Sequence, residues 1–267
     1  MSMTNCFSQI ALKKCFRKIF TLLAETKKEL TAVWFEISEF CKQLDLKKEE
    51  LYQLILNFES VKRIKGNYTF YISVNKILFI LEALHIIDYD IVKLCGILDF
   101  SGFEDLIYRI LIKNNYFAIK NFRFSDNSQY VRETNQKRYE IDVIGLHRNY
   151  MLIIDAKQWN KKDSFSAMNH AANLQYRRVK ALKKNPEIFT NLIHELLGPK
   201  PRLKRHLPLN LIPLMVTLEE NSVLFNNKDI PLVSIYKFSG FLREFQDLLN
   251  LYPSEKIKKI SLQQRLV

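Results

Sequence analysis

Two apolar segments that carry charges constrain this chain more than any other feature. Tyr139-Glu-Ile-Asp-Val-Ile-Gly145 and Met151-Leu-Ile-Ile-Asp-Ala-Lys157 both have strand composition. The run Met151 to Ile154 suits a strand covered on both faces, and a covered strand that ends in a carboxylate and an ammonium must give those charges partners. Strand side chains alternate in direction, so Asp155 and Lys157 project from one face, roughly 7 Å apart along the backbone, while Ala156 points away. A hairpin closed by a two-residue loop at Arg148-Asn149 sets Asp142 opposite Asp155, Glu140 opposite Lys157 and Ile144 opposite Ile153. Opposed side chains on neighbouring strands stand about 4.5–5.5 Å apart at Cβ, where two like charges are destabilising unless something neutralises them. A hard divalent cation such as Mg²⁺ is the natural neutraliser, because it takes one or two carboxylates together with waters and substrate phosphate.

The chain has 267 residues, of which 48% are hydrophobic and only 6 are Gly and 7 Pro, which excludes a globally disordered or collagen-like chain and leaves room for two domains. The longest apolar stretch, Ile77 to Ile87, is interrupted by Glu82 and His85 and is shorter than the roughly 20 residues a bilayer span needs. Near the start Lys13, Lys14, Arg17 and Lys18 break up the apolar residues, so no secretory signal is expected and the protein is placed in the cytoplasm, at the nucleoid. Cys6, Cys15, Cys41 and Cys95 form no CxxC pair and have no His at zinc-ligand spacing, so they are expected to be free thiols.

The formal charge of +13 is uneven: residues 1–100 hold 14 Lys+Arg against 12 Asp+Glu, and residues 101–267 hold 27 against 16. Lys157 to His206 alone has 12 basic residues against Asp163, Glu187 and Glu195, a field that attracts a polyanion through counterion release. DNA is the expected partner. Lys161, Lys162, Arg177, Arg178, Lys180, Lys183, Lys184, Arg202, Lys204 and Arg205 are its expected contacts, with a solvated basic face as the alternative.

Apolar spacing predicts helices over residues 6–23, 30–44 and 48–58, then a hairpin of Val61 to Ile64 and Tyr68 to Ser73 around Lys65-Gly66-Asn67. That order resembles a winged helix-turn-helix domain, with Lys62, Arg63 and Lys65 on the wing near a phosphate backbone. The third helix opens with Glu49 and Glu50, which repel phosphate, so a protein-contact or packing role stands beside DNA contact. Helices over 75–86 and 89–98 follow. The character of the sequence then changes at Leu98, giving domains 1–98 and 99–267. The second part predicts a helix over 101–113, strands over 117–124, 139–147 and 150–158, helices over 165–184 and 187–197, strands over 211–218 and 232–236, and a helix over 240–251. The order αβββαββα is an α/β sandwich around a mixed sheet.

Glu104 in Phe103-Glu-Asp-Leu-Ile, Asp142 in Glu-Ile-Asp-Val-Ile-Gly, and Asp155-Ala-Lys157 together resemble the PD-(D/E)xK nuclease superfamily over residues 99 to 252. The lead-in Leu98-Asp-Phe-Ser-Gly-Phe-Glu104 is similar to the opening helix of restriction-endonuclease and archaeal Holliday-junction-resolvase relatives. The resemblance implies a restriction endonuclease-like fold. It implies that Asp142 and Asp155 bind Mg²⁺ or Mn²⁺ with the Ala156 carbonyl assisting, that Lys157 orients or activates the attacking water, and that Glu104 is an auxiliary ligand. Ile141 stands in place of the nominal proline, and Val179 stands where RecB-like members would place a tyrosine after Gln175, which lies on the apolar helix face with Met168 and Ala172.

The implied activity is a metal-dependent DNA endonuclease, with a homodimer expected if both strands are cut. A catalytically inactive DNA-binding or regulatory protein of the same fold, or an RNA nuclease, is the alternative. Locally, Ser101-x-x-Glu104 is also a capping box, and Glu140 is either a further ligand or an ion-pair partner of Lys157.

Overall fold

The computed structural model describes residues 8–134, 136–158, 165–198, 206–220 and 224–259. Cys6 and the basic positions Lys161, Lys162, Arg202, Lys204 and Arg205 therefore lie outside the described residues. The chain divides into two compact units, Met1–Phe103 and Glu104–Val267. Among the described residues no helix is long and apolar enough to cross a membrane.

In the first unit α1 (Gln9–Ala24) starts at Ser8, whose side chain accepts the Ala11 N–H. It is followed by β1 (Ala32–Glu36), α2 (Ile37–Leu44), α3 (Lys48–Asn57), β2 (Val61–Lys65), β3 (Phe70–Asn75), α4 (Lys76–Ala83) and α5 (Ile91–Cys95). The three strands form an antiparallel sheet in the order β1-β3-β2. The helix expected over 30–44 is instead a strand that runs straight into a helix. Val33, Trp34 and Phe35 are the β-branched and aromatic residues that favour a pleated surface, and Val33 and Phe35 pair across the sheet with Val74 and Ile72. The core holds Phe16 stacked on Phe79, with ring centres 5.3 Å apart, and edge-on to Phe58.

The second unit comprises the body of α6 (Phe100–Lys113), then β4 (Phe117–Ser125), α7 (Tyr130–Thr134), β5 (Arg138–His147), β6 (Tyr150–Lys157), α8 (Phe165–Lys184), α9 (Pro186–Leu197), β7 (Leu209–Thr217), β8 (Leu232–Ser234), α10 (Ile235–Glu244) and β9 (Glu255–Ile257). Its sheet has the order β4-β5-β6-β7-β8, with β9 pairing the early part of β7. Strands β4, β5 and β6 are antiparallel neighbours, whereas β6, β7 and β8 run parallel. This is a mixed sheet in the expected αβββαββα frame, to which α7, α9 and β9 are added. The helix expected over 240–251 begins earlier, because Ser234 ends β8 and caps α10 by accepting the Lys237 N–H. Ile235, Phe238 and Leu242 then form its buried face.

Strand β6 is the centre of this unit and is buried from Tyr150 through Ala156. On one sheet face Ile144, Leu146, Met151 and Ile153 pack under Val179 and Leu182 of α8 and Phe189, Leu192 and Ile193 of α9. On β5, Gly145 leaves room for Leu111 of α6. A Cβ there would stand 3.0 Å from Leu111 Cδ1 and 3.2 Å from Tyr116 Cδ1. Gly145→Val should therefore lower the unfolding free energy by about 1–3 kcal/mol, the usual cost of overpacking, as read from the midpoint of a denaturant titration.

Candidate active site

The β5–β6 hairpin sets the geometry. Its five pairs run from His147↔Tyr150 to Val143↔Ile154, with a turn at Arg148-Asn149 in which Arg148 has φ 49°. This is the register that the two-residue loop dictates, and it stops one pair short of Asp142 and Asp155. Continued regularly, the next hydrogen-bonded rung would give the Ala156 N–H to the Ile141 carbonyl. Instead Asp142 Oδ2 accepts that N–H at 2.8 Å. On the other side of β5 the pairing with β4 skips Asn121 and Asp142, and Asn121 is left-handed with φ 55°. Asp142 thus sits at a break in both ladders, where the strands open.

Asp155 is 1% exposed. Its Oδ1 accepts from Arg178 Nη1 at 2.5 Å. The same nitrogen donates to Gln175 Oε1 at 2.8 Å, and Gln175 Nε2 donates to the Ile153 carbonyl at 2.5 Å. Lys157 Nζ lies 3.0 Å from Asp155 Oδ2. That distance makes an ion pair, but the groups are not aligned as a hydrogen bond. Among the described residues this buried oxygen receives no hydrogen bond from any donor. The ion pair is therefore a Coulombic contact without the directional part that would satisfy the lone pair.

Glu104 lies half-buried in the first turns of α6. It is not the cap of that helix: Asp99 Oδ1 accepts the Gly102 N–H at 2.8 Å. Burial and then the nearby Asp142 and Glu140 charges push the Glu104 carboxyl up to about 7. The Asp142 carboxyl is also raised, by burial and by Asp155, against the opposing pull of the Ala156 N–H, Lys157 and Arg178. Glu140 does not partner Lys157, as the extended register would have it. The ladder ends before that pair, and Glu140 instead meets Arg123, its partner on β4, at 2.8 Å.

Among the described residues no three His, Cys, Asp or Glu side chains form a group that could hold a metal by themselves. What the structure brings together is narrower: the carboxylates of Asp142 and Asp155, the Ala156 backbone and Lys157, with Glu104 electrostatically coupled to Asp142. This all-oxygen donor set fits a hard cation that takes only one or two protein carboxylates. The buried Asp155 Oδ2, an acceptor without a hydrogen-bond donor, is the feature that such an ion would satisfy.

The basic residues divide. Arg178 points inward to Asp155 and is only 18% exposed. On the same helix Arg177 is exposed, Lys180 lies over the Tyr176 ring, Lys183 pairs with Glu255 at 2.7 Å, and Lys184 lies over the Tyr130 ring. Lys62, Arg63 and Lys65 are exposed on β2 of the first unit, with Arg63 over the Phe70 ring. Sequence reasoning missed the Gln175–Arg178 brace on Asp155. Its signal is a single amide in an otherwise apolar helix stripe, three residues before an arginine.

The model of the nuclease-related domain family, NERD, matches residues 101–224. Two solved structures are similar to this chain at low identity. The small subunit of the heterodimeric restriction endonuclease R.BspD6I is 10% identical, with 64% of this chain and 77% of that chain covered, at a TM-score of 0.30. Protein VC1899 from Vibrio cholerae is 13% identical, with 91% of this chain covered at a TM-score of 0.31, and the match spans about half, 52%, of that chain. No curated protein matches the sequence.

The raised Glu104 carboxyl makes a stability prediction. A carboxyl lifted from 4.5 to about 7 favours the fold while protonated, so its contribution is full below pH 4.5 and is lost as pH rises through about 7. In chelator, Glu104→Gln should melt at a higher temperature than the parent at pH 8, and the difference should vanish at pH 4. Calorimetry at the two pH values checks this.

Proposed function

We propose that the second unit belongs to the PD-(D/E)xK nuclease superfamily and is a divalent-metal-dependent endonuclease that hydrolyses DNA phosphodiester bonds, a reading supported by the match of residues 101–224 to the nuclease-related domain family. The observation that carries the reading is the buried Asp155 Oδ2, without a hydrogen-bond donor among the described residues, beside Lys157 at the opening that Asp142 makes between β5 and β6. Asp142, Asp155 and the Ala156 carbonyl would hold Mg²⁺ or Mn²⁺, with Glu104 as an auxiliary ligand. Such an ion supplies a water activated near neutral pH and charge compensation on the scissile phosphate. Lys157, 30% exposed and tethered by charge to Asp155, would orient the attacking water and face the negative charge that develops on phosphorus-bound oxygen.

DNA would be held by Arg177, Lys180, Lys183 and Lys184, joined by Lys161, Lys162, Arg202, Lys204 and Arg205. The Lys183–Glu255 pair is exposed and of small energetic worth, so phosphate can compete for the ammonium. In the first unit, the order helix, strand, helix, helix, strand, strand with the sheet order β1-β3-β2 supports a winged-helix reading. Lys62, Arg63 and Lys65 would then be wing contacts to the DNA backbone. We assign residues 1–98 to that module and 99–267 to the nuclease. We place the protein at the nucleoid, as a homodimer that sets one site on each strand.

Lys157→Met should reduce the single-turnover cleavage rate by about 10²-fold or more, the scale for losing one group that stabilises developing charge. DNA affinity measured in Ca²⁺ should be unchanged. The assay is a panel of duplex, flap, four-way-junction and single-stranded DNA, with RNA counterparts, in Mg²⁺ and in Mn²⁺. If the parent cuts none of these substrates, the nuclease reading is wrong. If it cuts RNA alone, the assignment to DNA is wrong.

A further inference from the structure

We propose that Arg178 is a resident cation of the carboxylate site, a positioning residue that takes one oxygen of Asp155 and so limits the site to a single divalent ion. This rests on the nuclease reading above. Two-ion sites hold ions about 3.5–4 Å apart, and a carboxylate shared between them most simply gives one oxygen to each. Here two of the four oxygens on Asp142 and Asp155 are already committed. Asp155 Oδ1 belongs to Arg178 Nη1 at 2.5 Å, and Asp142 Oδ2 to the Ala156 N–H at 2.8 Å. Among the described residues Asp142 Oδ1 and Asp155 Oδ2 accept no hydrogen bond, Asp155 Oδ2 having only the Coulombic contact of Lys157 Nζ at 3.0 Å, and no third acidic or His side chain completes a cluster.

The guanidinium is fixed rather than adaptable. Nη1 also donates to Gln175 Oε1, and the fully buried Gln175 is itself pinned to the Ile153 carbonyl of the strand that carries Asp155. Arginine keeps its charge at every working pH. A second cation would therefore have to displace a charge that cannot be discharged and that a buried amide holds in place.

The test is a Mn²⁺ titration of the metal-free full chain, with free Mn²⁺ read by electron paramagnetic resonance. The parent should bind one ion per chain. Arg178→Met frees Oδ1 and removes a like charge, and should bind the first ion roughly tenfold more tightly or take up a second. Arg178→Lys keeps the charge and should stay at one ion. Melting transitions show whether each variant is folded. If Arg178→Met does not fold, the parent and Arg178→Lys stoichiometries decide. Two ions of similar affinity on the parent overturn the proposal, as does a folded Arg178→Met that binds Mn²⁺ no more tightly and no more abundantly than the parent. Two ions together with DNA cleavage would remove the role of Arg178 and leave the nuclease standing. No Mn²⁺ uptake and no cleavage would remove both.

Discussion

The site depends on one exchange of hydrogen-bond partner. The Asp142 carboxylate accepts the Ala156 N–H that a regular β5–β6 ladder would give to the Ile141 carbonyl. The exchange lets the strands part without orphaning a buried amide, which would otherwise make such an opening costly. A closed ladder would have held Asp142 and Asp155 directly opposed, as like charges about 4.5–5.5 Å apart at Cβ. The matching break toward β4, where Asn121 turns left-handed, keeps the distortion local to one position of β5. Below the break, the paired apolar residues from Val143 to Leu146 and Met151 to Ile154 are all buried and hold the register against slipping.

Around this opening, charge compensation is graded. Asp155, the most buried carboxylate, has a cation on each oxygen, Arg178 on one and Lys157 on the other. Asp142 has an amide as its hydrogen-bond donor and only more distant cations, so burial and Asp155 win and its carboxyl rises. Glu104 has Lys157 alone against burial and three carboxylates, and its carboxyl rises to about 7. Two raised carboxyls therefore meet at the place where the second unit has its proposed chemistry.

Much of this arrangement was legible in the sequence, for identifiable reasons. A two-residue loop fixes a hairpin register outright, so the pairs below the break followed from Arg148-Asn149. The break itself was not legible, because it depends on a side chain replacing a backbone acceptor, and a register argument continues the ladder indefinitely. The misplaced partner of Glu140 is the direct cost: it belongs to Arg123 on a strand that the hairpin argument did not include. In the first unit, Val33, Phe40, Cys41 and Leu44 happen to fall at helical spacing across a strand–helix junction. Apolar periodicity alone does not separate a five-residue strand from the first turn of a helix, and only the long-range pairing with β3 decides. Strand β9 was invisible for the same reason, since its three residues owe their conformation to the free edge of β7.

The two cations on Asp155 differ in kind, and their placement follows their chemistry. Arginine has a planar, permanently charged and weakly hydrated head that tolerates burial when its donors are matched. It occupies the inner side, where a buried glutamine orients it. Lysine has a compact, strongly hydrated ammonium on a flexible stem. It occupies the outer side, 30% exposed and held by charge without a directional bond. An inner cation held by directional hydrogen bonds and an outer one held by charge alone thus share a single carboxylate. The first gives the buried Asp155 Oδ1 a directional donor, and the second stands on the more exposed side of the same carboxylate.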